Sequence, residues 1–324
     1  VPLPPGVDAP VPGPPGPPPP GSRTVRTDDG VDLHVEFDGD DRAPLTVVFA
    51  HGFTAQLAEF DVHRAALRPR ARLVLWDQRG HGRSGWTPLT AATIDRTGRD
   101  LGQVLDAVVP AGPVVLAGHS MGGMSIMALA RQRPELFGTR VAGAFLLATS
   151  SGGLVGTGVL GRWVTAVRRL HLLGLWLRGL QLLAPLLERF RRRGTAVGRW
   201  FTRRYLFGRA DADPADVRLV QALLEETPYT VTLAFWATFL EHDETAALPV
   251  LGRVPTTVVA ATDDRLTPVD HGRRLAGLLG HDAELVVVPG AGHSVNLTRT
   301  DVVDRALADL LDRVEDRLRT PRAG

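Results

Sequence analysis

The 324-residue sequence contains no cysteine, and its 37 basic residues are all arginine, without a single lysine. Absent cysteine excludes disulfides, thiolate chemistry and cysteine-ligated metal. It says little about compartment, since a chain of this size builds its core without staples. Exclusive use of arginine follows as easily from a GC-rich genome as from function. Net charge is also scarce, at +2. That is too little for a nucleic-acid footprint, and no nucleic-acid module is evident. Long apolar runs are missing too. Arginines or glycines interrupt each candidate before it reaches the roughly 20 residues of a spanning helix. No signal peptide stands out. The expectation is a cytoplasmic or membrane-peripheral protein, with an upstream export signal left open because the sequence starts at Val1. No dense cluster of histidines and acids calls for a metal, and no cofactor is expected.

What is present is ordinary in amount and specific in order. Hydrophobic residues make up 44%, as in a soluble globular protein. The length suits one large α/β domain, or a core with a substantial insertion. Residues 1 to 20 hold 11 prolines. Proline fixes φ and lacks a donor, so residues 1–22 read as an extended or disordered tail. Docking of a proline-binding partner is the alternative.

Beyond the tail, "VDLHVEF" at 31–37 alternates as a half-buried strand. Short apolar runs follow at 45–50, 71–76, 112–117, 141–150, 255–261 and 283–289. These are β-branched and unbroken, as expected of strands covered on both faces. Helical patterns lie between several of them, at 95–108, 121–133, 268–279 and 299–318. Strands alternating with helices predict a mostly parallel central sheet flanked by helices.

The strand rhythm stops between 151 and 245. This stretch reads as an inserted helical cap, leaving 23–150 and 246–324 as the core. From 161 to 210 it carries 12 arginines and one acid, Glu188. One reading is a solvated arginine face over leucines packed on the core. The other is contact of the cap arginines, Arg191, Arg192 and Arg193 among them, with an anionic membrane or substrate headgroup.

The chemistry concentrates at "AGHSMGG", residues 117–123. Ser120 follows a predicted strand and precedes a predicted helix, the context in which Gly-x-Ser-x-Gly gains meaning. Gly118 and Gly122 would relieve crowding in a sharp turn, and Gly123 would let the helix approach the sheet. The turn would expose the Ser120 hydroxyl above a helix N-terminus. A nucleophilic serine needs a base. His293, in "GAGHS" after a late strand, occupies the carboxyl end of the sheet where such sites lie. The base needs an orienting acid, and "ATDDRLTP" offers both Asp263 and Asp264. Two oxyanion donors are expected: the amide of Met121 and the amide of Phe53 in "AHGFTA". His51 and the loop "DQRGHGRSG", with Asp77 and Arg79, read as structural, and His81 is the lesser candidate for the base.

These blocks, in this order, resemble the α/β-hydrolase superfamily, in its serine esterase, lipase and small-molecule hydrolase branch. The likeness covers roughly residues 24–318. It implies the α/β-hydrolase fold with an inserted helical cap. The family frame of a small residue, the catalytic aspartate and a proline four residues on falls on Ala261, Asp264 and Pro268. It favours Asp264 as the acid, although Ala261 replaces the usual glycine. Serine at 120 departs from the aspartate nucleophile of related epoxide hydrolases and haloalkane dehalogenases. The resemblance implies hydrolysis of a carboxylic ester of an apolar small molecule or lipid. Amide, thioester, lactone or carbon–carbon cleavage, cofactor-free perhydrolase or haloperoxidase activity, and acyl transfer would use the same triad. A non-catalytic binding module is the reading from another class.

Overall fold

A computed structural model describes residues 19–86, 91–154, 179, 195–208 and 212–320. Most of the proline-rich segment and the Arg191–Arg193 cluster lie outside the described residues. Eight strands make one sheet, in the order β1-β2-β4-β3-β5-β6-β7-β8. They are β1 (Arg23–Arg26), β2 (Asp32–Asp38), β3 (Thr46–Ala50), β4 (Arg72–Trp76), β5 (Val114–His119), β6 (Val141–Leu147), β7 (Thr256–Ala261) and β8 (Ala283–Val288). The pairs β1–β2 and β2–β4 are antiparallel. All other pairings are parallel. The longer helices are α1 (Asp61–Leu67), α2 (Ile94–Val108), α3 (Met121–Gln132), α4 (Thr195–Leu206), α5 (Pro214–Glu226), α6 (Tyr229–Glu241), α7 (Val269–Leu279) and α8 (Thr300–Arg319). Helices α4 to α6 belong to the inserted region between β6 and β7.

The unbroken apolar runs have a simple cause. Side chains alternate across a strand, and both faces are covered here. Val48 and Ala50 of β3 and Leu116 of β5 join a core with Leu101, Leu105, Ile126 and Leu129 of α2 and α3. Their neighbours Val47, Phe49, Val115 and Ala117 join the opposite core with Leu67 of α1 and Leu307, Leu310 and Leu311 of α8. Full burial of each such side chain stabilises the fold by about 1.5–3 kcal/mol.

Three details differ from the sequence pattern. Strand β1, "RTVR", was not expected; only Val25 of its four residues is buried, so it carries little apolar signal. Strand β8 is the sheet edge and only half-buried over most of its length, not covered on both faces. Strand β6 ends at Leu147 rather than near 150, because Ala148 has φ +44° and turns the chain out of the sheet.

Parallel strands share one carboxyl edge. The loops after Ala50, Trp76, His119, Leu147, Ala261 and Val288 therefore gather there, where open α/β sheets place their sites.

Candidate active site

Ser120 occupies the single-residue turn between β5 and α3. Its backbone has φ 50° and ψ −114°, a region that costs a non-glycine residue on the order of 1–3 kcal/mol. Surrounding contacts hold it there. The Ser120 amide donates to the Leu147 carbonyl at 2.9 Å, and the Thr149 hydroxyl donates to the Ser120 carbonyl at 2.7 Å. The glycines around it are sterically required. A Cβ on Gly118 would stand 2.5 Å from the Gly123 nitrogen, and one on Gly122 would overlap the Ala50 carbonyl oxygen. Gly123 instead faces the Thr149 side chain. A Cβ at Gly122 would meet β3 and one at Gly123 would meet the residue two after β6, so both glycines let α3 lie close at this edge.

His293 lies in the loop after β8 and is 6% exposed. Its Nδ1 is 2.8 Å from Asp264 Oδ2. The other Asp264 oxygen accepts the Leu266 and Thr267 amides at 2.8 and 2.9 Å. The Thr267 hydroxyl donates to Oδ2 at 2.7 Å. Burial alone would raise the Asp264 carboxyl, but the His293 ring and the Thr267 donors outweigh it and hold the group below the usual carboxylate range. Asp263, the other candidate, receives the Thr262 hydroxyl at 3.3 Å. Its amide donates to Ala291. Of the two acids, Asp264 is the one in contact with His293.

Ser120 and His293 meet through a neighbour. His119 Nε2 is 3.1 Å from the His293 carbonyl oxygen, and the two rings lie 4.9 Å apart. Among the described residues, no direct hydrogen bond joins the Ser120 hydroxyl to His293. Such contacts commonly tighten only when substrate is bound.

The loop after β3 passes over Ser120. A Cβ on Gly52 would come within 3.5 Å of Ser120 Cβ. The amides on either side of Phe53 are engaged: Gly52 donates to Glu59 Oε1 at 2.9 Å and Thr54 to His81 Nε2 at 3.1 Å. Between them, the Phe53 amide donates to no described group. Met121 is the first residue of α3, where an amide has no partner within the helix. The Phe53 ring packs against Phe239 and Phe235 of α6, with centroids 5.0 and 6.0 Å away. An apolar wall from the inserted region thus borders this loop.

His51, His81, Asp77 and Arg79 at this edge are held in hydrogen bonds and ion pairs. His51 Nδ1 donates to the Gly52 carbonyl, and its Nε2 accepts the Gln78 amide at 2.8 Å. His81 Nδ1 donates to the Arg79 carbonyl at 2.9 Å. Each ring therefore has one donor and one acceptor partner, which fits a neutral imidazole. Burial drives both below the ordinary histidine range, His81 to about 4. Asp77 accepts the Leu57 and Arg83 amides at 2.8 Å each, and burial pushes it up to about 6. Fully buried Arg79 pairs with Asp100 at 2.6 Å and Asp29 at 2.9 Å.

The inserted region reaches the histidine loop directly. The Ser294 amide donates to the Leu206 carbonyl at the end of α4 at 2.7 Å, and Gly208 bridges Ala291. This contact and the Glu59–His119 pair have no signal in the motifs, because each joins residues distant in sequence; Thr267 lies within ATDDRLTP, three residues from Asp264, and was passed over there. Among the described residues, no group of three or more histidines and acids is placed to hold a metal. No described helix is long and apolar enough to cross a membrane.

An eight-stranded sheet in this order, with a strained serine at the β5–α3 turn and a histidine–aspartate pair on the later loops, defines the α/β-hydrolase architecture. The pattern of the Alpha/beta hydrolase family matches residues 47–306, and the chain belongs to that family. Over 279 residues it is 27% identical to the dihydrolipoyllysine-residue acetyltransferase component of the acetoin cleaving system of Pseudomonas putida, covering 85% of this chain and 65% of that protein. A 106-residue stretch is 39% identical to lipase LipV of Mycobacterium tuberculosis, covering 32% of this chain and 38% of the lipase. The chain thus spans less than two thirds of the length of these curated relatives. In structure it is similar to esterase RhEst1 from Rhodococcus sp. ECU1013, with TM-score 0.71, 20% identity, and 90% and 99% of the two chains covered.

Proposed function

We propose that this chain is a serine hydrolase that cleaves carboxylic esters of apolar small molecules or lipids. The observation that carries the reading is the 2.8 Å contact of His293 Nδ1 with Asp264, in a chain whose His293 ring lies 4.9 Å from that of His119, the residue before a serine held at a strained strand-to-helix turn. With Nδ1 committed to the carboxylate, His293 Nε2 is the base. It takes the proton of Ser120 as the hydroxyl oxygen bonds to the substrate carbonyl carbon. The amides of Phe53 and Met121 receive the oxyanion, each contributing about 3 kcal/mol in the transition state. The proton then passes to the leaving alcohol as its C–O bond breaks. Water, activated by the same ring, releases the acid from the acyl-enzyme.

The apolar wall of Phe53, Phe235 and Phe239 supports an apolar acyl or ring-bearing substrate. Among the relatives, one is named a lipase and a structural neighbour an esterase. Transfer of the acyl group to an acceptor other than water is the second reading, favoured by the acetyltransferase name of the relative that covers most of this chain. Contact of the cap arginines with anionic lipid belongs to the first reading. It predicts salt-dependent binding to anionic vesicles, lost when Arg191, Arg192 and Arg193 are replaced together. The leading test is hydrolysis of p-nitrophenyl esters of two to sixteen carbons beside Ser120→Ala. Serine-dependent release of p-nitrophenol is expected, and folded protein without turnover on any chain length would overturn the ester reading.

A further inference from the structure

Three buried histidines surround the elbow, and one has a different set of partners. His51 and His81 each face one donor and one acceptor. His119 faces two acceptors: Glu59 Oε2 lies 3.1 Å from Nδ1, and the His293 carbonyl oxygen lies 3.1 Å from Nε2. Opposite an ionised Glu59, a neutral imidazole with its one ring proton would leave one of these buried contacts as lone pair against lone pair. Only the doubly protonated ring donates to both.

The same Glu59 carboxylate also accepts the Gly52 amide at 2.9 Å. Its backbone carbonyl accepts the Asn296 side-chain amide at 3.3 Å. Both His119 and Glu59 are buried. One ion pair therefore ties together the strand that delivers Ser120, the loop that bears the Phe53 amide, and the loop that bears His293.

We propose that His119 is an imidazolium and that the His119–Glu59 pair is a positioning pair, which holds the His293 loop and the Phe53 loop in register with Ser120. The proposal rests on the hydrolase reading for its effect on turnover, but not for the charge state. His119 touches no reacting atom; it acts through the His293 carbonyl and, by way of Glu59, through the Gly52 amide. The groups that face it are Glu59, His293, Asp264 and His51. Burial would depress the ring, but Glu59, the His293 carbonyl and Asp264 outweigh it and raise it above the ordinary histidine range. The raised direction sets the sign. The charged pair is intact below that raised value and is lost as pH rises through it.

Two measurements on the full chain test this. The first is NMR of ring protons in 15N-histidine-labelled protein, with His119→Gln to assign the signals. Two N–H protons on His119 at pH 7 are expected, and a single ring proton overturns the proposal whatever the turnover. The second is kinetics. His119→Ala and Glu59→Ala should each lower kcat by about 10–100-fold with KM within about twofold, as small misplacements of reacting groups do. The double variant should lose no more than the worse single one. Glu59→Gln separates geometry from charge. Its amide accepts from Gly52 and donates to a neutral His119, whose Nε2–H still reaches His293. It should regain at least about fivefold of the alanine loss and abolish the alkaline fall in kcat expected of the wild type. Unchanged kcat in both alanine variants, or an alkaline fall that persists in Glu59→Gln, overturns the positioning role. Two ring protons without any Ser120-dependent turnover would sink the hydrolase reading and leave the ion pair standing.

Discussion

Gly122 and Ala50 approach so closely that no side chain fits between them: a Cβ at 122 would overlap the Ala50 carbonyl oxygen, with the His51 carbonyl oxygen 2.9 Å away. The atoms met are backbone, so the collision cannot be relieved by a rotamer change. Gly122→Ala should lower unfolding stability by about 3 kcal/mol, at the severe end of overpacking costs. Gly277→Ala is the control. It lies in α7 with nothing within 4 Å of its would-be Cβ, and should raise stability by about 0.5–1 kcal/mol. Urea midpoints of the two variants, read against the wild type, check both signs.

The acid is tested by paired amides. Asp264→Asn should reduce kcat by about 10³–10⁴-fold, because an amide presents a donor to His293 Nδ1 and stabilises the wrong tautomer. Asp263→Asn should stay within about threefold. Ser120→Ala should abolish turnover and leave the unfolding midpoint unchanged. A larger defect at Asp263, or surviving activity in Ser120→Ala, would contradict the assignment.

The Asp264 carboxyl lies below its ordinary range. Its contribution is present above the unfolded carboxylate pKa and is lost as pH falls through the lower folded value. In Asp264→Asn the drop in stability on acidification should therefore be shallower, measured as unfolding free energy from pH 6 downward.

His81 gives a second acid signature in a different window. Its folded value is about 4 against an ordinary 6.5. The unfolded chain binds the extra proton between these limits, so stability falls as pH drops from 6.5 toward 4. Buried Asp77, raised to about 6, works against this slope below pH 6. Comparing His81→Asn with the wild type isolates the histidine. Near pH 5 the variant should lose up to one proton's worth of slope, about 1.4 kcal/mol per pH unit. Parallel stability curves would rule out a neutral His81.

Where the inserted region meets the histidine loop, Gly292 permits the contact. A Cβ there would stand 2.5 Å from the Phe207 carbonyl carbon and collide with the Gly208 amide nitrogen. Gly292→Ala should displace the end of α4 from the loop and lower kcat/KM by about tenfold or more while the sheet stays folded. Circular dichroism and ester hydrolysis on the same sample distinguish this from general unfolding.

Strands β3 to β7 were legible because each is buried on both faces and so leaves an unbroken apolar run. The Ser120 turn was legible because its steric demands fall on Gly118 and Gly122, within two residues of it. Asp264 was narrower: the residues alone left Asp263 open, since two adjacent acids differ only in where the loop turns them. The Glu59–His119 pair was not legible. Its partners lie 60 residues apart, and Glu59 sits in a four-residue turn of 3₁₀ helix, Leu57–Phe60, with no periodic pattern around it. Strand β1 escaped for the opposite reason, being mostly exposed at the sheet edge.

Arg79 reaches across the boundary of the family pattern. The matched segment begins at residue 47, yet a carboxylate paired with this buried guanidinium is Asp29, in the turn between β1 and β2. Without Asp29 the buried guanidinium would keep Asp100 and lose the two hydrogen bonds that the hairpin carboxylate accepts from it. A fragment trimmed to the family limits would keep every candidate catalytic residue and still lack this contact. The N-terminal hairpin is thereby wired to the loop after β4 and is part of the fold's foundation rather than an ornament on its edge.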